Sequence, residues 1–259
     1  MLMEWDGSLI FVVISLGFLA AFIDAVVGGG GLISIPALLA IGMPPATALG
    51  TNKLASAFGS FTSAVRFLRS GKVDLGFVAK VFPFSFLVAV CGAILAVYLP
   101  AELLKPLVII ILSGVLIYTL VKKDWGHIRT YQKLSIVKFI AFIAVLLLIA
   151  FYDGFLGGGT GSFLMFAFLF VGFDFLSAAG NAKVLNFASN IGALTLFIYL
   201  GHVDYVYGLT MALSMVAGSY TGAWFALKYG VGYVKVLFII VTFILIIKNV
   251  FDYLQSMLL

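Results

Sequence analysis

Two lysines stand where a helix in lipid should carry none. Lys53 lies in "ALGTNKLASAFGS" and Lys183 in "AAGNAKVLNFASN", each about eight residues into a largely apolar run. Eight helical residues rise about 12 Å. Each ammonium would therefore sit deep in a bilayer, where a charge is costly and usually functional. Asn186 and Asn190 follow Lys183 at i+3 and i+7, on the same helix face. Ser56 and Ser60 repeat that stripe after Lys53, with Thr51, Asn52 and Asn181 close by. Two such stripes, facing one another, could hold an oxyanion by charge and hydrogen bonds. Each side chain also has a plainer use. Lysines snorkel to the interface, and buried amides and hydroxyls bond neighbouring helices at about 0.6 kcal/mol each.

The second chemical signature is a pair of glycine runs, "VVGGGGLIS" at Gly28–Gly31 and "FLGGGTGSF" at Gly157–Ser162. Glycine permits a tight turn and a close backbone approach. A helix that restarts after such a turn presents free amides and roughly half a positive charge, a ready site for an anion. Gly29, Gly30, Gly31 and Leu32 would supply it in the first run, and Gly158, Gly159, Thr160, Gly161 and Ser162 in the second. The bland alternative is close helix packing. A phosphate loop finds no accompanying nucleotide motif. Asp24 and Asp153 precede the two runs by four residues. Either could carry a proton or cap the broken backbone, and the sequence leaves both roles open.

The elements that must position these residues are apolar helices. Of the 259 residues 64% are hydrophobic and 10% charged, against about 25% charged in soluble domains. Too few charged groups remain to cover a water-facing surface. Runs of this length cross a bilayer as helices, whereas a transmembrane barrel would alternate in short segments. The net charge of +5 is scattered over short loops, which argues against a nucleic-acid surface. One cysteine, Cys91, excludes a disulfide framework, and His127 and His202 stand too far apart to suggest a metal site. The acidic N-terminus lacks the basic opening of a signal peptide.

Glycines, prolines and charges cut the chain into ten segments. They are Leu9–Val27, Leu32–Ile41, Ala46–Leu68, Leu75–Leu99 and Leu103–Val121, then Leu134–Leu156, Ser162–Val171, Phe175–Leu200, Tyr205–Leu227 and Gly232–Leu254. The second of each five covers only about half of a 30 Å hydrocarbon core. Each follows a glycine run directly, so each reads as a broken or re-entrant helix. The halves are copies. A shift of 130 aligns "ALGTNK" with "AAGNAK" and "GKVD" with "GHVD", and a shift of 129 aligns Asp24 with Asp153 and Gly28–Gly30 with Gly157–Gly159. Basic residues collect at Arg66, Arg69 and Lys72, in the linker "KKDWGHIRTYQK", and at Lys228 and Lys235. The positive-inside rule places these in the cytoplasm and both termini outside. The second copy is then inverted. The expected organisation is a first repeat over 1–121, a basic cytoplasmic linker over 122–133 and a second repeat over 134–259.

Inverted repeats with broken helices meeting at mid-membrane are the design of secondary transporters. The "D-x3-G-G-G-G" break followed by Pro36, the "ATALGTNKL" stretch, "YDGFLGGGTGSF" and "NAKVLNFASN" together resemble the TauE/SafE sulfite exporter family, from about Phe18 to Tyr253. That resemblance implies a membrane permease for an anion, sulfur-containing in many members, coupled to protons. It leaves the substrate and the direction open. The expectation is an all-α polytopic membrane protein that moves a small anion by alternating access, with no catalytic residue, metal or cofactor. Its partners would be that anion, protons and the lipid bilayer. An anion channel is the first rival and a membrane-embedded enzyme the second.

Overall fold

The computed structural model describes residues 7–98, 117, 126, 128–132 and 134–258. The expected fifth segment, Ile117 apart, lies outside the described residues. So do Glu4, Asp6, Glu102, Lys105, Lys122, Lys123, Asp124, His127 and Lys133.

Among the described residues all regular structure is helical. The first half contributes α1 (Gly7–Val27), α2 (Gly31–Ala40), α3 (Pro45–Arg69) and α4 (Leu75–Tyr98). The second contributes α5 (Ile136–Phe155), α6 (Thr160–Phe170), α7 (Phe175–Tyr199) and α8 (Tyr205–Leu258). Helix α8 carries a non-helical residue at Gly230 (φ 78°, ψ −167°), between the expected segments Tyr205–Leu227 and Gly232–Leu254. The remaining boundaries fall within two residues of those read from the sequence, for local reasons. Pro45 opens α3 at the position where a missing N–H costs nothing. Asp174 caps α7, its carboxylate accepting from the amides of Leu176 and Ser177. Helices α1 and α2 are separated by Gly28 and Gly29 at φ 80° and 90°, and α5 and α6 by Gly157 and Gly159 at φ 78° and 86°.

Three stretches are long and apolar enough to cross a membrane by length and composition: Leu9–Val27 in α1, Leu75–Tyr98 and Ile136–Phe155. Helices α3 and α7 are 25 residues each but carry the polar stripes. The burial pattern is the reverse of a water-soluble protein. Phe11, Phe84, Leu87, Val137, Ile140 and Leu148 face outward, while Lys53, Asp153, Lys183, Asn186 and Asn190 are buried. A lipid solvent requires that distribution, because the outer surface gains nothing by leaving hydrocarbon and the polar groups must bond one another.

Contacts between the halves are reciprocal. Helix α1 packs along α8, and α5 along α4. The carbonyl of Phe22 fills the space beside Gly222, and that of Phe151 the space beside Gly92, so close that a Cβ fits at neither glycine. Helices α3 and α7 cross at the centre and run antiparallel. The amide of Asp74, just past the end of α3, donates to Asn181 Oδ1 near the start of α7 (2.8 Å). The amide of Asp204, just past the end of α7, donates to Thr51 Oγ1 near the start of α3 (2.9 Å). Thr51 and Asn181 thus tie helices to turns. The linker docks at one end of this bundle. Thr130 N donates to Gly172 O (2.8 Å), and Arg129 pairs with Asp74 at 3.6 Å.

Candidate functional site

The two glycine breaks touch. Gly28 lies against the backbone of Gly161 and Ser162, and Gly31 against the carbonyl of Gly157. A Cβ at Gly28 would collide with the Ser162 amide, so that position needs glycine for space as well as for its positive φ. Ser162 Oγ locks the junction by donating to the carbonyl of Val27, the last residue of α1 (3.0 Å). Tyr152 OH donates to Gly158 O at 2.5 Å, holding the second break to the end of α5.

Around this junction the four charged side chains pair across the halves. Lys53 Nζ on α3 donates to Asp153 Oδ1 on α5 at 2.9 Å, and Lys183 Nζ on α7 donates to Asp24 Oδ2 on α1 at 2.6 Å. Each lysine reaches the aspartate of the other copy. Sequence reasoning placed both lysines and both aspartates here but missed the pairing, because a shift that aligns copies says nothing of which copy meets which. Opposite charges this close attract strongly in a low dielectric, and removing one leaves the other uncompensated.

The two carboxylates have different partners. Asp24 Oδ1 accepts from the amide of Gly30 at 3.2 Å, so it does cap the first break, and its other oxygen is a counter-ion. Among the described residues the Asp153 carboxylate accepts from no backbone amide. Its Oδ2 accepts from Asn186 Nδ2 (3.3 Å) and from Ser189 Oγ. Lys53 Nζ donates in addition to Asn190 Oδ1 (3.2 Å), and Asn190 Nδ2 approaches Ser60 Oγ (3.5 Å). Asn52 Oδ1 accepts from Ser34 Oγ on α2 (2.6 Å).

The expectation of free amides needs correction at Gly30 and Leu32. Gly30 N is taken by Asp24, and Leu32 and Ile33 bond the carbonyls of Gly29 and Gly30, as helix ends do when i−3 carbonyls are within reach. The amides of Gly29 and Gly31 have no backbone acceptor among the described residues. At the second break a longer run is open. The amides of Thr160, Gly161 and Ser162 have no backbone acceptor among the described residues, and Thr160 Oγ1 is buried without a partner.

A small polar cavity lies against the junction. Its wall includes Asp24, Asn52, Lys53, Asp153, Asn186 and Asn190. Of the glycines in the two breaks, Gly30, Gly31, Gly157 and Gly161 reach it. Gly29, Leu32, Gly158, Gly159, Thr160, Ser162 and Lys183 stand behind that wall rather than on it. Ala20 and Ala21 of α1, Ser56, Gly59 and Ser60 of α3, and Met215 and Ser219 of α8 complete the lining. Met215, Ser219, Ser34 and Ser189 carried no signal in the sequence, being lone small or apolar residues on long helices.

The sequence matches the Sulfite exporter TauE/SafE family over residues 13–249. It is 38% identical over 236 residues to the "Probable membrane transporter protein ORF9" of a Sinorhizobium species, covering 91% of this chain and 90% of that one. It is 35% identical over 251 residues to a "Probable membrane transporter protein" of Haemophilus influenzae, covering 96% and 98%. The "Probable membrane transporter protein YfcA" of Escherichia coli strain K12 is 35% identical over 247 residues, 95% and 90% of the two chains. No solved structure matches the chain significantly. A polar centre inside an apolar shell, found in a sequence that follows these relatives nearly end to end, identifies the chain as a membrane protein of the TauE/SafE sulfite exporter family.

Proposed function

We propose that the protein is a secondary transporter that carries a small anion, a sulfur oxyanion or an organosulfonate, through the cytoplasmic membrane by alternating access. One observation carries the reading. Two lysine–aspartate pairs, each built from both halves, meet at one polar cavity beside two helix breaks. The substrate class follows the sulfite exporter name of the matched family and the donors at the wall: Lys53, Asn52, Asn186, Asn190 and the backbone at Gly31 and Gly161. Behind these, Lys183, Thr160 and Ser162 set the charge and shape of the second break. In this reading residues 1–121 and 134–259 are inverted repeats, and 122–133 is a cytoplasmic linker with both termini outside. The antiparallel crossing of α3 and α7 supports the inversion. The contact of Arg129 with Asp74 supports placing the linker on the same side as Arg66 and Arg69. Helices α2 and α6, 10 and 11 residues long, would be re-entrant, meeting near mid-membrane. Rocking one repeat against the other would open the cavity to each side in turn.

The experiment is a thermal-shift screen of the purified protein against sulfite, thiosulfate, sulfate, methanesulfonate and small carboxylates, followed by counterflow in proteoliposomes. A stabilising sulfur anion that also shows counterflow supports the reading. Current without counterflow would make the protein a channel.

A further inference from the structure

The charged groups at the junction sum to zero, Lys53 and Lys183 against Asp24 and Asp153. Among the described residues the cavity wall carries no other ionised side chain. An anion entering would leave the junction with a net negative charge inside the membrane, where an uncompensated charge is expensive. Protonation of one carboxylate restores neutrality. We propose that Asp24 is the carboxylate that takes this proton, one for each monovalent anion, while Asp153 stays ionised. The proposal rests on the transport reading and specifies its coupling site.

The two carboxylates differ in their partners and their exposure. Asp153 receives three side-chain donors, Lys53, Asn186 and Ser189, and its side chain is 2% exposed. Among the described residues Asp24 receives Lys183 and the longer Gly30 amide bond, and its side chain is 21% exposed on the cavity wall. Fewer bonds and greater exposure make Asp24 the carboxylate open to a proton from the cavity. The charged groups around Asp24 are Lys183 from α7 and, across the cavity, Lys53 from α3 and Asp153 from α5. Helices α2, α6 and α8 bring no titratable group to the wall beside it, only glycines, Met215 and Ser219.

The step balances. A proton from water on the open side binds Asp24, and its hold on Lys183 is lost. Lys183 Nζ, which among the described residues has Asp24 as its side-chain partner, then adds its charge to the site from behind the wall. It lies beside Gly161, whose amide and those of Thr160 and Ser162 are open. The new O–H of Asp24 can donate to the same anion. Proton and anion leave together on the other side, and the Asp24–Lys183 pair closes again.

The test uses the full chain in proteoliposomes with radiolabelled methanesulfonate, which stays a monovalent anion across the accessible pH range. Wild type should show counterflow, and a gradient of one pH unit should drive about tenfold accumulation. Asp24→Asn should accumulate nothing above equilibration, and Asp24→Glu should accumulate with a shifted pH dependence. Wild-type counterflow with Asp24→Asn still accumulating the probe, or with Asp24→Glu accumulating on an unshifted profile, overturns the assignment alone. Absence of wild-type counterflow removes the transport reading and the assignment with it. If Asp24→Asn does not insert, proton uptake is read with a pH indicator as methanesulfonate binds detergent-solubilised wild type. One proton per anion, with a shifted pH dependence in Asp24→Glu, supports the proposal. No uptake, or an unshifted profile, overturns it.

Discussion

Lys53–Asp153 and Lys183–Asp24 occupy equivalent places in the two halves, yet their surroundings differ. Beside the first pair α7 presents Asn186, Ser189 and Asn190, which reach Asp153 and Lys53 directly. At the matching positions α3 presents Ser56, Gly59 and Ser60, which are too short to reach Asp24 or Lys183. Their hydroxyls turn back to their own helix or approach Met215 and Asn190. The cavity lies on that side, and those three residues and α8 form part of its wall. The two halves share the glycine breaks and the charges. The smaller side chains on α3 leave the hollow.

The largest effect tests the inequality of the pairs. Lys53→Ala leaves Asp153 buried with its main counter-charge gone, a change that typically costs about 3–5 kcal/mol. Lys183→Ala leaves Asp24 partly exposed and still bonded to Gly30, so it should cost clearly less. Thermal unfolding of the detergent-purified proteins would show a drop in midpoint that is larger for Lys53→Ala. Both variants should lose most of the flux. Equal midpoints would mean that the two pairs are energetically alike and that the surrounding amides do not matter.

The next effect separates glycines that make contact from glycines that only turn. Gly28 and Gly42 both have positive φ, but nothing lies within 4 Å of a Cβ at Gly42. Gly42→Ala therefore carries the left-handed strain alone, about 1–2 kcal/mol. Gly28→Ala adds a collision with the Ser162 amide and must push the two breaks apart. It should lower the yield of folded protein severalfold more than Gly42→Ala, read by fluorescence-detected size exclusion. Comparable yields would show that the breaks are not tightly apposed.

What was legible in the sequence follows the same division. Period, glycine runs and the register between halves exposed the helices, the two interruptions and the four charges, because each is a local pattern or a repeat of one. The partners of those charges were not legible. Lys53 and Asp153 are 100 residues apart, and only the crossed packing of α1 on α8 and α5 on α4 decides that each lysine meets the other half's aspartate. Nor was the fate of the amides. Two similar glycine runs close differently: Gly28 and Gly29 take positive φ in succession, whereas Gly157 and Gly159 do so with Gly158 between them. The cavity was invisible for a further reason. It is set by what α3 lacks, and a small residue on an apolar helix reads as packing.

The smallest structural change bears most directly on the comparison. Gly59→Ser gives α3 the residue that α7 carries at Ser189. A Cβ there would lie 3.0 Å from Ser219 Oγ and 3.4 Å from Met215 Cβ, tight but against side chains that can give. Serine is the better helix former by a few tenths of a kcal/mol, so stability should shift by less than about 1 kcal/mol. Flux should nonetheless fall severalfold, because the new side chain occupies the hollow where the two halves differ. Adding Ser219→Ala removes the facing hydroxyl and should return part of the flux without altering the unfolding midpoint. If Gly59→Ser transports like wild type, the space beside α3 is not where the anion passes, and the asymmetry of the halves serves packing alone.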